Sequence, residues 1–174
     1  MTKLKLDLVC QVAVVVRDLE EGLAQMRRWL GIDESSLTFG KSLELIHEGK
    51  LEPQIYHGVQ GEYAYQQANF FMGGMDIEMF APVEGSAGGP INDFLEEHGP
   101  GIHHLNIRLA NREEGLRFLR EEVGKTPLME GYFLGRHFAY FDMREELGIT
   151  FEVGSRVVGP RASMPEEALQ ALIQ

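Results

Sequence analysis

An internal repeat limits the fold of this chain more than any other feature of its sequence. The 21 residues from Gln11 to Gly31 align without gaps with those from His104 to Gly124, at an offset of 93 positions. Both segments contain the tetrapeptide EEGL, at Glu20–Leu23 and at Glu113–Leu116. Two amphipathic helices can resemble each other by chance, but a gapless match of this length favours a duplicated structural unit.

Each copy begins with a strand pattern and continues as an amphipathic helix. Asp18 and Asn111 predict helix N-caps, because each is followed three residues later by a glutamate. Gly31 and Gly124 predict the ends of the two helices. Alternating apolar residues precede the caps, namely Val12, Val14 and Val16, then Leu105, Ile107 and Leu109. Apolar stripes follow them, namely Leu19, Leu23, Met26 and Leu30, then Leu116, Leu119 and Val123.

Three strand-like stretches follow each helix, so the order strand, helix, strand, strand, strand occurs twice. In the first copy they are Leu43–Ile46, Glu62–Phe71 and Asp76–Ala81. In the second copy they are Thr126–Met129, His137–Phe141 and Thr150–Val153. We therefore predict an α+β fold in which two tandem βαβββ modules form a cupped, barrel-like mixed sheet.

The repeat also predicts how the chain divides. The first module spans residues 7–84 and the second spans residues 101–155. A Gly- and Pro-rich linker, residues 85–100, connects them and contains a short helix at Ile91–His98. Residues 156–174 form a C-terminal tail, in which Pro165–Ile173 is predicted to be helical.

Composition excludes several kinds of partner. The net charge of −11 and the pI of 5.0 argue against nucleic acid and against anionic membranes, which both require basic surfaces. The single cysteine, Cys10, rules out an internal disulfide and a Cys-rich zinc site. No apolar run approaches the roughly 20 residues of a membrane span, and the N-terminus lacks the apolar stretch of a signal peptide. We expect a cytoplasmic protein.

Four metal-competent side chains lie on the strand faces that point away from the helices. Gln11 and Glu78 occupy the first and last strands of the first copy, and His104 and Glu152 occupy those of the second. A single glutamate on a strand is usually solvated and a single histidine is usually structural, so the prediction depends on all four coinciding. Such a set suits one divalent metal ion, with Mn, Co, Ni, Zn and Mg as candidates.

Other polar residues of the same strand are candidates for substrate binding. Asn106 and Arg108 share the face of His104, and Arg108 suits a carboxylate or phosphate group. An equally good interpretation pairs Arg108 with a nearby acidic residue at a sheet edge. His103 alternates onto the helix side in this scheme, which predicts a core histidine.

Three stretches of the chain resemble the vicinal oxygen chelate superfamily, which comprises glyoxalases, bleomycin resistance proteins and dioxygenases. They are IEMFAPVEGS, INDFLEEHGPGIHHLNI and FAYFDMREELGITFEV, within a likeness that spans Val9 to Val153. The likeness is greatest to the methylmalonyl-CoA epimerase branch. It implies that Gln11 and His104 supply the metal ligands of the opening strands, and that Glu78 and Glu152 supply those of the closing strands.

The sequence also departs from that branch. Gln11 stands where epimerases usually place histidine, so the ligand set is similar to that of eukaryotic glyoxalase I. Val15 and Pro82 occupy the positions at which that enzyme contacts glutathione, and extradiol dioxygenases need a second histidine ligand. The first copy is also longer, with 67 positions from Gln11 to Glu78 against 48 from His104 to Glu152.

The resemblance implies a metal-dependent isomerase or epimerase that removes a proton next to a carbonyl through a metal-stabilised enolate. Glu152 is the predicted base and Glu78 the second choice, with Glu48 and Glu52 as candidates for the opposite side of the carbon. The expected substrate is a small molecule such as an acyl-CoA or a 2-oxo compound, bound by a homodimer. The alternatives are a glyoxalase I-like lyase (lactoylglutathione lyase type) and a non-catalytic binding or resistance protein.

Overall fold

A single mixed sheet of ten strands dominates the computed structural model, which describes residues 4–154. The strands are β1 (Leu6–Val15), β2 (Asp33–Lys41), β3 (Gln54–Tyr56), β4 (Val59–Gly61), β5 (Tyr65–Met72), β6 (Met75–Pro82), β7 (Gly101–Leu109), β8 (Met129–Phe133), β9 (Arg136–Met143) and β10 (Ile149–Val153). The helices are α1 (Leu19–Trp29), α2 (Ser42–His47), α3 (Pro90–His98), α4 (Arg112–Arg117) and α5 (Arg144–Leu147), and α4 continues into a π-helical turn at Phe118–Glu122.

The strand order is β2-β5-β6-β1-β7-β10-β9-β8-β3-β4. In each copy of the repeat the first strand lies parallel to the last, so β1 pairs with β6 and β7 pairs with β10. The two first strands, β1 and β7, pair antiparallel at the centre of the sheet. This arrangement confirms the predicted α+β fold with a curled mixed sheet.

Both predicted N-caps are present. Asp18 Oδ1 accepts a hydrogen bond from the backbone N–H of Glu21 at 2.8 Å, and Asn111 Oδ1 accepts one from Glu114 at 3.1 Å. Helices α1 and α4 pack on the outside of the sheet, where the two copies build separate apolar cores, whereas α3 packs on the concave side. The core of the first copy contains Leu19, Leu23, Phe70, Ile77 and Met79, and that of the second contains Ile107, Leu116, Leu119, Phe141 and Val153.

The glycine of each EEGL motif brings its helix close to the sheet. A Cβ on Gly22 would lie 2.9 Å from Met79 Sδ and 3.0 Å from Val16 Cγ2. A Cβ on Gly115 would lie 2.3 Å from Leu109 Cδ1. The shared tetrapeptide therefore reflects the same close helix-to-sheet approach in both copies.

Replacing Gly22 with Ala is expected to lower the free energy of unfolding by about 1–2 kcal/mol, because overpacking outweighs the gain in helix propensity. Val16 is β-branched and Met79 is fully buried, so neither side chain yields easily. Urea unfolding monitored by circular dichroism measures the change. Gly101→Ala is the control, since a Cβ there meets no atom within 4 Å and its stability should stay within about 0.5 kcal/mol of the parent. Equal stabilities of the Gly22→Ala variant and the parent would contradict the close-approach interpretation.

The predicted strand at Leu43–Ile46 is wrong, because these residues belong to helix α2. The sheet strand of this part of the first copy is β2, whose exposed and polar residues gave no strand pattern. Ser42 fixes the start of α2: its buried Oγ donates to the carbonyl of Tyr63 at 2.6 Å and accepts from the N–H of Tyr65 at 2.9 Å. Four residues are too few to separate helical from strand periodicity.

The extra residues of the first copy cross to the far end of the sheet. β3 pairs with β8 of the second copy, and β4 pairs with β3. The segment between α2 and β3 is tied to the β8–β9 hairpin, because the N–H of Glu52 donates to the carbonyl of Tyr132 at 2.9 Å and the N–H of Leu134 donates to the carbonyl of Lys50 at 2.6 Å. This segment therefore bridges the open side of the curled sheet.

Smaller differences concern the ends of elements. The predicted strand at Thr126–Met129 begins three residues later, as β8, because Pro127 has no N–H to donate to a ladder. Leu30 is 64% exposed, so it does not extend the buried stripe of α1.

The predicted linker helix is confirmed as α3. The tail helix predicted at Pro165–Ile173 lies outside the described residues. Among those described, no helix has the length and apolarity of a membrane span.

Candidate metal and substrate site

Four neighbouring strands of the sheet, β6, β1, β7 and β10, carry the predicted ligands. His104 on β7 and Glu78 on β6 both lie opposite Ala13 of β1, one on either side of it. Glu152 on β10 lies opposite Asn106, and Gln11 on β1 lies opposite the same residue from the other side. The register between the two copies therefore brings the polar faces of all four strands to one place on the concave side.

Glu78, His104 and Glu152 form a cluster that has the geometry to hold a metal ion. One ligand atom from each residue lies within 4.8 Å of the other two. His104 Nε2 is 3.2 Å from Glu152 Oε2 and 3.9 Å from Glu78 Oε2. The fourth predicted ligand, Gln11, is buried and lines the same cavity as the two carboxylates. The structure thus brings together three of the predicted ligands and places the fourth beside them.

The state of His104 fits a metal ligand. Its side chain is fully buried, and its Nε2 has no hydrogen-bond partner among the described residues even though carboxylate oxygens lie close by. Burial lowers the pKa of His104 to about 3, so the imidazole is neutral at pH 7 and Nε2 can offer a lone pair. A buried polar atom with no hydrogen bond is costly, and a cation between the imidazole and two acids removes that cost.

Asn106 holds the two halves of the site in place. Its Nδ2 donates to Glu152 Oε2 at 2.8 Å and lies 3.5 Å from Gln11 Oε1. Gln11 Nε2 in turn donates to Asp76 Oδ2 at 3.4 Å. The structure shows that Asn106 orients Glu152, and its role in substrate binding stays a prediction. Its Oδ1 is buried without a hydrogen-bond partner among the described residues.

The predicted placement of His103 on the helix side is wrong. The register between β1 and β7 passes from Ala13 opposite His104 to Val14 opposite Ile102, so His103 is an extra residue in a β-bulge. The bulge turns its side chain to the concave side, where its ring lies 4.8 Å from Phe94 of α3. His103 Nδ1 is 2.8 Å from His104 Nδ1.

Two buried tyrosines line the cavity and were not predicted from the sequence. Tyr65 accepts a hydrogen bond from Gln54 Nε2 at 2.6 Å, and the ring of Tyr140 lies 4.5 Å from that of His104. Burial raises the pKa of both tyrosines, so their hydroxyl groups stay protonated at neutral pH. Their positions within predicted strands gave no sign of a site, because tyrosine is common in strands.

The cavity has a volume of about 80 Å³ and is partly open to solvent. The ligand cluster lies at one end. The outer part is lined by apolar side chains from α2, the bridging segment and the β8–β9 hairpin, namely Leu45, Leu51, Phe133 and Phe138. A neighbouring groove shares Leu45, Gln67, Phe133 and Arg136 with the cavity and continues along Phe39 and Leu134, both of which are exposed. The cavity and the groove together can take an elongated ligand.

Other predicted residues lie away from this cavity. Arg108 Nε is 3.9 Å from Asp7 Oδ2, and Arg108 is not among the described residues that line the cavity. Its role as a substrate contact therefore stays a prediction without support from the geometry. Glu48 forms an exposed ion pair with Lys50 at 2.6 Å, and neither Glu48 nor Glu52 lines the cavity.

Comparisons with known proteins agree with this fold. No curated protein sequence matches the chain at a significant level. The solved structure of methylmalonyl-CoA epimerase from Mycobacterium tuberculosis superimposes with a TM-score of 0.56 at 18% identity, covering 97% of this chain and 96% of that one. The hypothetical protein BH1468 from Bacillus halodurans gives 0.52 at 21%, covering 87% and 92%. A Streptomyces coelicolor methylmalonyl-CoA epimerase in complex with 2-nitronate-propionyl-CoA gives 0.53 at 15%, covering 87% and 97%.

At these identities the structural likeness establishes the fold alone. The family model of the glyoxalase, bleomycin resistance protein and dioxygenase superfamily matches residues 10–141. That range holds three of the four predicted ligands and most of both copies of the repeat. The chain belongs to the glyoxalase/bleomycin resistance protein/dioxygenase superfamily.

Proposed function

We propose that this protein is a metal-dependent isomerase that exchanges a proton at the carbon next to a thioester carbonyl, in the manner of a methylmalonyl-CoA epimerase. The observation that carries the proposal is the cluster of Glu78, His104 and Glu152, whose two carboxylates line a cavity that opens to solvent. A neutral imidazole with two carboxylates suits Mn, Co, Ni, Zn or Mg, and Gln11 is the proposed fourth ligand. A divalent ion bound there supplies a Lewis acid for the carbonyl oxygen of the substrate.

The proposed reaction needs one residue that removes the proton and another that returns a proton to the opposite face of the carbon. Glu152 is the proposed base, because Asn106 fixes its carboxylate at 2.8 Å beside the cavity. Glu78 faces the same cavity from the other copy of the repeat and is the second candidate. The proton for the opposite face of the carbon must come from a group that is protonated at pH 7. The buried hydroxyl groups of Tyr65 and Tyr140 meet that requirement.

The shape of the cavity and groove supports a substrate with a long arm. The epimerase structures that resemble this chain were solved with methylmalonyl-CoA and with 2-nitronate-propionyl-CoA. In this protein the cluster end of the cavity suits the acyl group, and the apolar groove beyond Phe133 suits the arm. The net charge of the chain is −11, so an anionic substrate gains from a cationic contact at the mouth. Arg136 is exposed and lines both the cavity and the groove.

Solvent exchange tests the proposed reaction directly. Protein loaded with Co²⁺ or Mn²⁺ is incubated with (2R)- or (2S)-methylmalonyl-CoA in D₂O, and mass spectrometry follows deuterium at the 2-position. We expect incorporation that depends on both metal and protein, with loss of stereochemical purity. Absence of exchange with methylmalonyl-CoA and with other 2-substituted malonyl thioesters would contradict the proposal.

Replacing Arg136 with Gln is expected to raise KM for the CoA thioester by roughly ten-fold with a smaller change in kcat, since a contact to a charged group contributes about 1.5 kcal/mol. Arg108→Gln is the matched control. It removes an arginine that pairs with Asp7 outside the cavity, and its KM should stay close to that of the parent protein. The reverse order of effects would instead support the sequence prediction for Arg108. Initial rates at varied substrate concentration measure both.

A lyase that acts on a thiol adduct of a 2-oxo aldehyde is the second candidate. The specific observation in its favour is the buried Gln11 beside the cluster, since the set of Gln, Glu, His and Glu is similar to that of glyoxalase I. Methylglyoxal combined separately with several thiols distinguishes the two reactions. Turnover of such an adduct without exchange of methylmalonyl-CoA would favour the lyase.

A further inference from the structure

The bulge in β7 places two imidazoles in direct contact at the proposed metal site. His103 Nδ1 and His104 Nδ1 are 2.8 Å apart, and both rings are buried. The ring of His103 lies 4.8 Å from that of Phe94 and 5.9 Å from that of Tyr140, so aromatic neighbours hold it on two sides. The side chain is only 7% exposed, and it lines a second cavity, which lies between α3 and strands β9 and β10.

Two nitrogen atoms at this distance must share one proton, because a hydrogen bond needs one donor and one acceptor. A cation held by the Glu78–His104–Glu152 cluster would use the lone pair of His104 Nε2. The proton of the neutral His104 ring must then be on Nδ1, which donates to His103 Nδ1. His103 therefore has to present a lone pair at Nδ1 and carry its own proton on Nε2.

We propose that His103 is a positioning residue, which accepts the Nδ1–H of His104 and so fixes the ring and the tautomer that leave His104 Nε2 available to a divalent cation. Among the described residues, no other acceptor is seen at His104 Nδ1. Histidine ligands of metals commonly donate their second N–H to a carboxylate, a carbonyl or water, and loss of that partner commonly costs roughly 10–100-fold in metal affinity. In this protein the acceptor is the imidazole of His103, which in its neutral form adds no charge beside Glu78 and Glu152. The inference rests on the proposed metal site and deepens it.

Two substitutions of His103 distinguish its role as a hydrogen-bond acceptor from its role in packing. His103→Phe keeps an aromatic ring against Phe94 and Tyr140 but removes the acceptor. His103→Asn loses most of the ring but keeps an oxygen close to the place of Nδ1. Zn²⁺ affinity is measured by competition with a chromophoric chelator. We expect a loss of roughly 10–100-fold for His103→Phe and a change within about three-fold for His103→Asn.

A purely structural role reverses that order, because His103→Asn then binds Zn²⁺ more weakly than His103→Phe. Either this reversal or equal affinity of His103→Phe and the parent protein would overturn the inference. Thermal unfolding of the metal-free variants reports packing separately. There His103→Asn is expected to be the less stable of the two, as it leaves a cavity beside Phe94.

The tautomers can also be observed in the parent protein, which removes any dependence on how the variants fold. In the Zn²⁺-loaded, ¹⁵N-labelled chain, long-range ¹H–¹⁵N spectra should show His104 protonated at Nδ1 and His103 protonated at Nε2. A proton on His103 Nδ1, or a parent protein that binds no Zn²⁺, would overturn the inference. These measurements use no substrate. Zn²⁺ binding and tautomers as expected, without deuterium exchange into methylmalonyl-CoA, would contradict only the proposed function.

Discussion

Replacing Glu152 with Gln is expected to reduce deuterium exchange and epimerisation by about 10²–10⁴-fold, the usual contribution of a positioned general base. Gln keeps the shape of the side chain and can still meet Asn106, so the fold should persist. It removes the charge that accepts the proton, and it weakens one proposed ligand of the metal. Single-turnover exchange at saturating Co²⁺ isolates the proton transfer from the loss of metal affinity.

The control for this substitution is Glu34→Gln. Glu34 is an exposed glutamate that pairs with Arg27 at 2.6 Å, far from the cavity in the fold. The Glu34→Gln variant should catalyse deuterium exchange at the rate of the parent protein. If Glu152→Gln retains most of the exchange at saturating metal, the base is a different group, and Glu78→Gln becomes the next variant to test.

Replacing His104 with Leu is expected to abolish tight metal binding, with a loss of Zn²⁺ affinity greater than about 100-fold. This exceeds the roughly 10–100-fold cost of losing a residue that only supports a ligand. The substitution removes the single imidazole of the Glu78–His104–Glu152 cluster. Two carboxylates then face each other without a nitrogen ligand. Chelator competition and metal analysis after dialysis measure the effect.

His57→Asn is the matched control for His104→Leu. His57 is an exposed histidine in the turn between β3 and β4, with a φ of 49°, a conformation that Asn tolerates well. Its Zn²⁺ content should equal that of the parent protein. If the His104→Leu variant retains stoichiometric Zn²⁺ after dialysis, the metal lies elsewhere and the proposed site is wrong.

The parts of the molecule that follow period-2 alternation could be predicted from the sequence. The first and last strands of each copy alternate between a helix side and a concave side, and this alternation places Glu78, His104 and Glu152 on the same side. The repeat supplied the second requirement, because duplicated strands that pair at β1 and β7 bring equivalent positions together. Alternation and duplication together were enough to identify the cluster.

Features that depend on pairing between distant strands could not be predicted. A β-bulge adds one residue without leaving any pattern in the sequence, so His103 was placed on the wrong face. The helical turn of α2 is too short for its period to be recognised, and its anchor, Ser42, depends on Tyr63 and Tyr65 some twenty residues away. Nothing in the sequence indicated that Arg136 lines the cavity, because that position depends on which part of the chain lies across the sheet.

The crossing of the bridging segment makes the two copies of the repeat dependent on each other. By sequence, the residues between α2 and β4 belong to the first copy, but by hydrogen bonding β3 and β4 extend the sheet of the second. Dividing the gene at the linker would therefore deprive the second half of the strand that covers β8, and would leave Leu51 without its bridge to Phe133. A protein rebuilt from two identical copies of the shorter second module would keep the duplicated strands that carry the predicted ligands. It would lack the segment that bridges the open side of the sheet. The duplicated strands supply the proposed metal ligands, whereas the bridging segment, which only the first copy contains, supplies Leu51 to the lining of the cavity.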